Sequence, residues 1–247
     1  MNKLLVIMNC CGLLGLERIH QYLRHINSLL EQEFDGFRVV VSGCCNTPAC
    51  KDVLQTKLGN RVSYNWIDTI LPVFVTCNHA IRTCVKHFGP YDGYVYVDSG
   101  VDVLAGTGIN SGRANPKLDE HKQMLRWMWN RLRDNNPKYK GLYDLNAMVA
   151  APVDHDTGYD WWHLNPPHEQ DWPLPIGRAI NLHCQAFSEE LRLAYGHILP
   201  DVFASDTGES IFTVMCAAIG RRFLLMGKPT VRHEPSMDGA SVGFRGK

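Results

Sequence analysis

Two carboxylates follow an apolar run in the segment YVYVDSGVDV. Tyr94 to Val97 predicts a buried strand, and Asp98, Ser99, Gly100 and Asp102 come just after its end. Carboxylate oxygens are suitable ligands for Mg²⁺ or Mn²⁺, and such a cation stabilises the charge that develops on a leaving diphosphate. The same Asp-Ser-Gly sequence is typical of a turn after a strand. Taken alone, these residues favour the turn and leave the cation site as the alternative.

The first hundred residues alternate between strand-like and helix-like patterns. Apolar runs predict strands over residues 3–8, 37–41, 61–67 and 94–97, and helical spacing predicts helices over 14–30, 48–58 and 72–88. This order predicts an α/β fold with a mostly parallel central sheet and helices on both faces. Because ligands of such sheets bind beyond the carboxyl ends of the strands, we expect Ser42 and Asp98 beside one crevice.

The second half of the sequence is less regular. It predicts helices over residues 119–133, from 188 onward and over 207–219, and strands over 147–153, 223–226 and 230–232. A long polar loop over residues 154–178 carries four aromatic residues, Tyr159, Trp161, Trp162 and Trp172. Flat aromatic faces suit sugar rings, so these four are predicted to bind an acceptor; the alternative is a flap packed on the domain. No repeat or linker divides the chain, which predicts one domain over residues 1–247.

Composition excludes several classes of protein. Lys+Arg and Asp+Glu number 25 each, so no global charge attracts nucleic acid or anionic lipid. The nine Cys are odd in number and lack the spacing of a zinc site, which indicates buried, reduced thiols. The apolar run near the N-terminus is short and ends at Asn9, and no later stretch is long enough to span a bilayer. We therefore expect a cytoplasmic protein and leave peripheral membrane association open.

One block of the sequence resembles a known family. Residues 72–102, PVFVTCNHAIRTCVKHFGPYDGYVYVDSGVD, are similar to the helix-and-strand block of GT-A glycosyltransferases, particularly the large inverting family 2. The matching positions are Asn78, Ala80, Ile81, Gly93 and Asp98. Asp98 is similar to the first Asp of the family's DXD motif. The last Asp of that motif is replaced by Gly100, and Asp102 is the candidate to supply the missing carboxylate.

Two further segments extend the resemblance. Residues 186–220 look like the family's acceptor-side segment, and Glu209 falls where the catalytic base would lie. Glu209 also suits the first turn of a helix, and Asp206 is both the competing base and a candidate helix cap. His233 follows a late strand, where many GT-A enzymes use a His as a ligand of the metal or diphosphate.

The resemblance implies a glycosyltransferase with a Rossmann-like GT-A domain, inverting and dependent on Mn²⁺ or Mg²⁺. A retaining enzyme on the same fold is the alternative, because the sequence does not fix the stereochemistry. Residues 1–102 would bind the nucleotide-sugar donor and residues 103–247 a glycan or other hydroxyl acceptor. The implied metal ligands are Asp98, Asp102 and His233. The implied donor contacts are Asn9, Cys10, Asn46, Asp68, Asn78, Asp98, Ser99 and Gly100.

One departure from the family pattern keeps a second function in view. The acid that normally follows the second strand is absent, and Asn46 and Asp68 are the candidates to replace it. Together with Gly100, this absence favours the alternative of a catalytically silent GT-A-like protein that binds glycans or nucleotide sugars. A sugar nucleotidyltransferase ranks last, because the N-terminus has no Gly-rich loop followed by basic residues.

Overall fold

A computed structural model gives the fold of the chain. It describes residues 3–10, 18–44, 46–69, 71–105, 118–133, 148–150, 153–155, 171–177, 183–200, 205–227 and 231–234. The side chains of residues 118, 150, 153–155 and 205–210 are not part of that description.

The first hundred residues form the alternating pattern that the sequence predicts. The strands are β1 (Leu4–Asn9), β2 (Phe37–Cys44), β3 (Ser63–Ile67) and β4 (Gly93–Val97), and the helices are α1 (Ile19–Leu30), α2 (Pro48–Leu58) and α3 (Val73–Phe88). Local signals set the helix ends. Thr47 caps α2 by accepting a hydrogen bond from the backbone N–H of Cys50, and Pro48 occupies the first turn, where no N–H is needed.

The second half contains shorter elements. They are β5 (Val101–Asp102), α4 (Leu118–His121), α5 (Met124–Arg133), β6 (Met148–Ala150), β7 (Val153–His155), β8 (Trp172–Pro173), β9 (Cys184–Ser188), α6 (Glu190–Tyr195), α7 (Ser205–Ala218), β10 (Phe223–Leu225) and β11 (Val231–His233). The predicted helix over residues 119–133 is two helices, and the predicted strand over 147–153 is two strands in different sheets. β9 has no counterpart in the prediction.

Two sheets organise the described strands. The larger has eight strands in the order β3-β2-β1-β4-β9-β6-β10-β8, and the smaller has three in the order β5-β11-β7. β1 to β4 run parallel, whereas β9 runs antiparallel to both β4 and β6. The carboxyl ends of β1, β2 and β4 therefore lie at the same edge of the sheet as the first residue of β9.

Helices cover both faces of the larger sheet, as predicted. Alternate residues of β1 point to opposite sides: Leu4, Val6 and Met8 pack with α1, α2 and α5, whereas Leu5 and Ile7 pack with α3, α6 and α7. A strand buried on both faces explains the continuous apolar run of β1.

Composition raises two questions, cysteine pairing and membrane-spanning helices, and the described residues bear on each. None of the seven cysteines that the structure describes forms a disulfide, and all seven are buried. No helix in the described ranges combines the length and the apolar character that crossing a membrane requires.

Candidate functional site

Two histidines meet Asp98 at the end of β4. The antiparallel pairing of β9 with β4 brings His183, the residue before β9, next to Asp98, whose N–H donates to the His183 carbonyl at 2.8 Å. β11 pairs with β5 and brings His233 opposite Val101. His183 Nδ1 lies 3.7 Å and His233 Nε2 3.5 Å from Asp98 Oδ2. The two imidazole rings are 4.3 Å apart between centroids.

This group has the composition of a cation site. One ligand atom from each of Asp98, His183 and His233 lies within 4.8 Å of the other two. Mg²⁺ prefers oxygen ligands, whereas imidazole nitrogen suits transition metals. The donor set therefore fits a divalent transition cation that accepts both oxygen and nitrogen, of which Mn²⁺ is one.

The environment sets the protonation states that ligation requires. Burial alone would raise the pKa of Asp98, but the neighbouring imidazoles of His183 and His233 outweigh burial, and the pKa of Asp98 lies well below its usual value. Burial lowers the pKa of His183. An ionised carboxylate and a neutral imidazole are the forms that bind metal.

The turn after β4 orients the Asp98 carboxylate. Oδ1 accepts hydrogen bonds from the backbone N–H of Ser99 at 2.8 Å and from the Asn9 amide at 3.4 Å. The Asp98 carbonyl accepts from the N–H of Val101 at 3.0 Å. With Oδ1 engaged, Oδ2 is the oxygen that faces the histidines. Asn9, predicted to contact a donor, thus lies in direct contact with Asp98.

Gly100 has no room for a side chain. A Cβ atom there would lie 2.6 Å from the Glu234 carbonyl oxygen and 3.0 Å from His233 Nε2. An aspartate at this position would therefore collide with the end of β11. The close approach of His233 to the turn explains why the last residue of the DXD-like segment is Gly100.

Asp102 does not join Asp98, contrary to expectation. Its side chain is buried, with Oδ2 3.5 Å from Arg24 Nε and Oδ1 accepting from the N–H of Leu104 at 2.9 Å. His183 instead stands beside Asp98 and His233. Sequence reasoning missed His183 because β9 was not predicted. His183 directly precedes the segment Cys184 to Phe187, in which Gln185 interrupts the apolar residues, so no clear strand signal is present in the sequence.

The ends of β1 and β2 bring Cys10 and Asn46, both predicted to contact the donor, close to Gly43. The N–H of Cys10 donates to the Ser42 carbonyl at 2.8 Å. A Cβ on Gly43 would lie 2.9 Å from the Cys10 carbonyl and 2.2 Å from Asn46 Nδ2, so glycine permits this close packing. Burial raises the pKa of the Cys10 thiol, which suits a packing residue and not a nucleophile.

Two other residues that are predicted to contact the donor interact with other groups of this chain. The Asp68 side chain is 90% exposed and pairs with Lys51 at 2.5 Å. Asn78 is buried, and its amide donates to the Leu199 carbonyl at 2.7 Å and accepts from the Leu199 N–H at 3.1 Å and the Ile198 N–H at 3.3 Å. These bonds fasten α3 to this segment, and the donor contact of Asn78 stays a prediction.

The predicted catalytic and acceptor residues are placed only in part. Asp206 and Glu209 lie among the first five residues of α7, with side chains outside the described part. Tyr159, Trp161 and Trp162 lie outside the described residues. Trp172 lies on β8, the terminal strand of the larger sheet, and its exposed fraction is 43%.

Comparison with known proteins shows a similar architecture in several solved structures. No protein-family model and no curated protein matches the sequence. Residues 1–349 of TarS from S. aureus superpose with a TM-score of 0.60 and 15% identity, over 94% of this chain and 60% of that chain. The complex of the same TarS fragment with UDP gives 0.61 and 15%, over 95% and 61%. A mannosyltransferase from Pyrobaculum calidifontis, PcManGT, solved with GDP-Man and Mn²⁺, gives 0.58 and 14%, over 97% and 59%.

These similarities establish the fold. The chain shares with these structures an α/β architecture with a mixed, mostly parallel central sheet between helices. It spans about three fifths of the length of the structures it matches.

Proposed function

We propose that the chain is a glycosyltransferase that moves a sugar from a nucleotide-sugar donor to an acceptor hydroxyl, with the help of a divalent cation. One observation carries the proposal: Asp98, His183 and His233 meet at the carboxyl end of β4, within a GT-A fold. A mannosyltransferase of similar fold was solved with GDP-Man and Mn²⁺, which supports both the donor class and the cation.

Asp98, His183 and His233 are the proposed cation ligands. A divalent cation at this place would supply the positive charge that stabilises a leaving diphosphate. Asn9 and the N–H of Ser99 hold Oδ1 of Asp98 and leave Oδ2 toward the histidines. Because two of the three ligand atoms are imidazole nitrogens, we propose Mn²⁺ in preference to Mg²⁺.

The nucleoside of the donor is proposed to bind between the ends of β1 and β2. Asn9, Cys10 and Asn46 lie there, beside the turn that carries Asp98. Ser99 and Gly100 in that turn are the proposed contacts of the diphosphate. This placement follows the general rule that ligands of parallel sheets bind beyond the carboxyl ends of the strands.

Glu209 is the proposed general base, in an inverting transfer. It would take the proton from the acceptor hydroxyl as the oxygen attacks the anomeric carbon. It is the fifth residue of α7. Asp206 is the competing base. Tyr159, Trp161, Trp162 and Trp172 remain the proposed acceptor contacts.

A thermal-shift screen of nucleotide sugars tests the proposal. Each of UDP-, GDP-, CDP- and dTDP-sugars is added with Mn²⁺, with Mg²⁺ or with EDTA. A ligand present at about 100 times its Kd stabilises the native state by about 2.7 kcal/mol, so the Tm should rise for the true donor. We expect the largest rise with Mn²⁺ and none with EDTA. A panel in which no nucleotide sugar raises the Tm under any condition would contradict the proposal.

Two variants connect this result to the site. His183→Ala should keep the fold and lose the Mn²⁺-dependent part of the shift, whereas His87→Ala, an exposed histidine near the end of α3, should behave as wild type. The confirmed donor is then incubated with a panel of glycan acceptors. Donor binding without transfer to any acceptor would favour the silent binding protein, to which the replacement of an acid by Gly100 also points.

A further inference from the structure

His25 joins the two segments that carry the proposed cation ligands. It lies on α1 with an exposed fraction of 0%. Its Nδ1 is 2.8 Å from the Ser99 carbonyl oxygen, and its Nε2 is 3.4 Å from Glu234 Oε2. Ser99 follows Asp98 in the chain, and Glu234 follows His233. One buried imidazole therefore hydrogen-bonds to the neighbour of one ligand and lies against the neighbour of another, without a hydrogen bond at the second contact.

Two more residues of α1 reach the same carboxylate. Gln21 donates to Glu234 Oε2 at 3.2 Å, and the Arg24 guanidinium donates to that same oxygen. Gln21, Arg24, His25 and Glu234 are called the α1 clamp below. The N–H of Glu234 also donates to the Gly100 carbonyl at 2.8 Å. The end of β11 is thus fastened both to the turn after β4 and to α1.

This arrangement bears on the spacing of the ligands. Asp98 follows β4 of the larger sheet, whereas His233 ends β11 of the smaller sheet. No described strand belongs to both sheets. Ligands bind a cation well only when held at the right separation, and the groups around them do that holding. A carbonyl oxygen can only accept, so Nδ1 of His25 donates in the bond to Ser99, which fixes the position of the turn.

We propose that His25 is a positioning residue of the cation site. Through Ser99 and Glu234, it holds Asp98 and His233 at the separation that binding needs, and it thereby sets the affinity for the cation. The inference rests on the proposed function, because that function includes the site. His25 itself does not touch the cation or the substrate.

Cation affinity of three variants tests the role of His25. Mn²⁺ binding is followed by the EPR signal of free Mn²⁺, with no donor and no turnover. His25→Ala should weaken binding by about 10–100-fold, the usual effect of losing a group that supports a ligand. His25→Asn places an amide N–H near the position of Nδ1 and should recover most of the affinity. His25→Gln reaches toward Glu234 without the Ser99 bond and should bind more weakly than His25→Asn.

A control separates positioning from general stability. Leu29 is fully buried on the same helix and packs in the core. Leu29→Ala should lower the Tm and leave Mn²⁺ affinity unchanged. If His25→Ala does not fold, the order of His25→Asn over His25→Gln carries the test.

Three results would overturn the inference. The first is wild-type affinity in His25→Ala, or equal affinity in the Asn and Gln variants. The second is an equal loss in Leu29→Ala. The third is a wild-type protein that binds no divalent cation, which would also remove the cation from the proposed function. If wild type binds a donor in a Mn²⁺-dependent way and the His25 variants bind Mn²⁺ with wild-type affinity, only the role of His25 is contradicted.

Discussion

A single methyl group at Gly100 is expected to disturb the cation site. In Gly100→Ala, the new Cβ would lie 2.6 Å from the Glu234 carbonyl oxygen and 3.0 Å from His233 Nε2. Ordinary van der Waals contact begins near 3.4 Å, so the carbonyl would have to retreat by about 0.8 Å. The Glu234 peptide cannot retreat freely, because its N–H donates to the Gly100 carbonyl at 2.8 Å. Relief of the clash therefore displaces the turn from His233.

The size of the effect follows from the cost of overpacking. Inserting a methyl group into a tightly packed place costs about 1–3 kcal/mol. If the strain is relieved by moving His233 away from Asp98, the same energy appears as lost cation affinity. Since about 1.4 kcal/mol corresponds to a factor of ten, Mn²⁺ binding should weaken by about 5–150-fold. Gly100→Asp, which restores the aspartate of a DXD motif, should bind no more tightly than Gly100→Ala.

Gly93 supplies the matched control for this experiment. It begins β4, whereas Gly100 follows the end of that strand. A Cβ on Gly93 would lie 2.7 Å from Leu132 Cδ1 and 3.1 Å from the Phe187 carbonyl oxygen. Gly93→Ala and Gly100→Ala should both lower the Tm, but calorimetric titration should show weakened Mn²⁺ binding for Gly100→Ala alone. Wild-type affinity in Gly100→Ala, or an equal loss in both variants, would refute the reasoning.

Three further predictions follow from the site and its surroundings. Because the pKa of Asp98 is lower in the native state than in the unfolded state, its carboxylate stabilises the native state above the unfolded pKa, and this stabilisation is lost as the pH falls. Asp98→Asn lacks this carboxylate. In urea unfolding with EDTA present, its free energy of unfolding should therefore fall less than that of wild type between about pH 5 and pH 3. Asn78→Ala leaves buried backbone groups of Leu199 unpaired, so the free energy of unfolding should fall by about 1–3 kcal/mol in urea titration. If Asn78 also contacts the donor, calorimetry should show weaker donor binding, and unchanged donor affinity would leave Asn78 a structural residue only. Glu209→Gln should keep donor affinity and lower turnover by about 10²–10⁴-fold in a transfer assay, and unchanged turnover would assign the base to Asp206.

The first half of the fold could be predicted because its signals are local. β1, β2 and β4 lie in the middle of the sheet, so they read as apolar runs without alternation. Thr47 and Pro48 mark the start of α2, and the left-handed conformation of Gly89, with φ of 83°, marks the end of α3. The ends of these elements could therefore be predicted from the residues at the ends themselves.

β9 escaped prediction because its sequence gives no such signal. Cys184 to Ser188 is five residues long and includes the polar Gln185 and Ser188, and so short a segment cannot be assigned to strand or helix from periodicity alone. Its antiparallel direction, which depends on pairing with β4 and β6, cannot be read from the strand itself. Since that direction places His183 beside Asp98, the missed strand and the missed ligand have one cause.

The departure from the DXD pattern and the appearance of His183 belong to the same geometry. In a DXD motif, two carboxylates come from one turn, and the local sequence suffices to bring them together. Here Asp98, His183 and His233 come from the ends of three strands, and the turn has Gly100 where His233 approaches it. A site of this kind depends on how β9 and β11 pack against β4. Cation affinity should therefore respond to substitutions in the α1 clamp, which touch no ligand directly, more than a site built within one turn would.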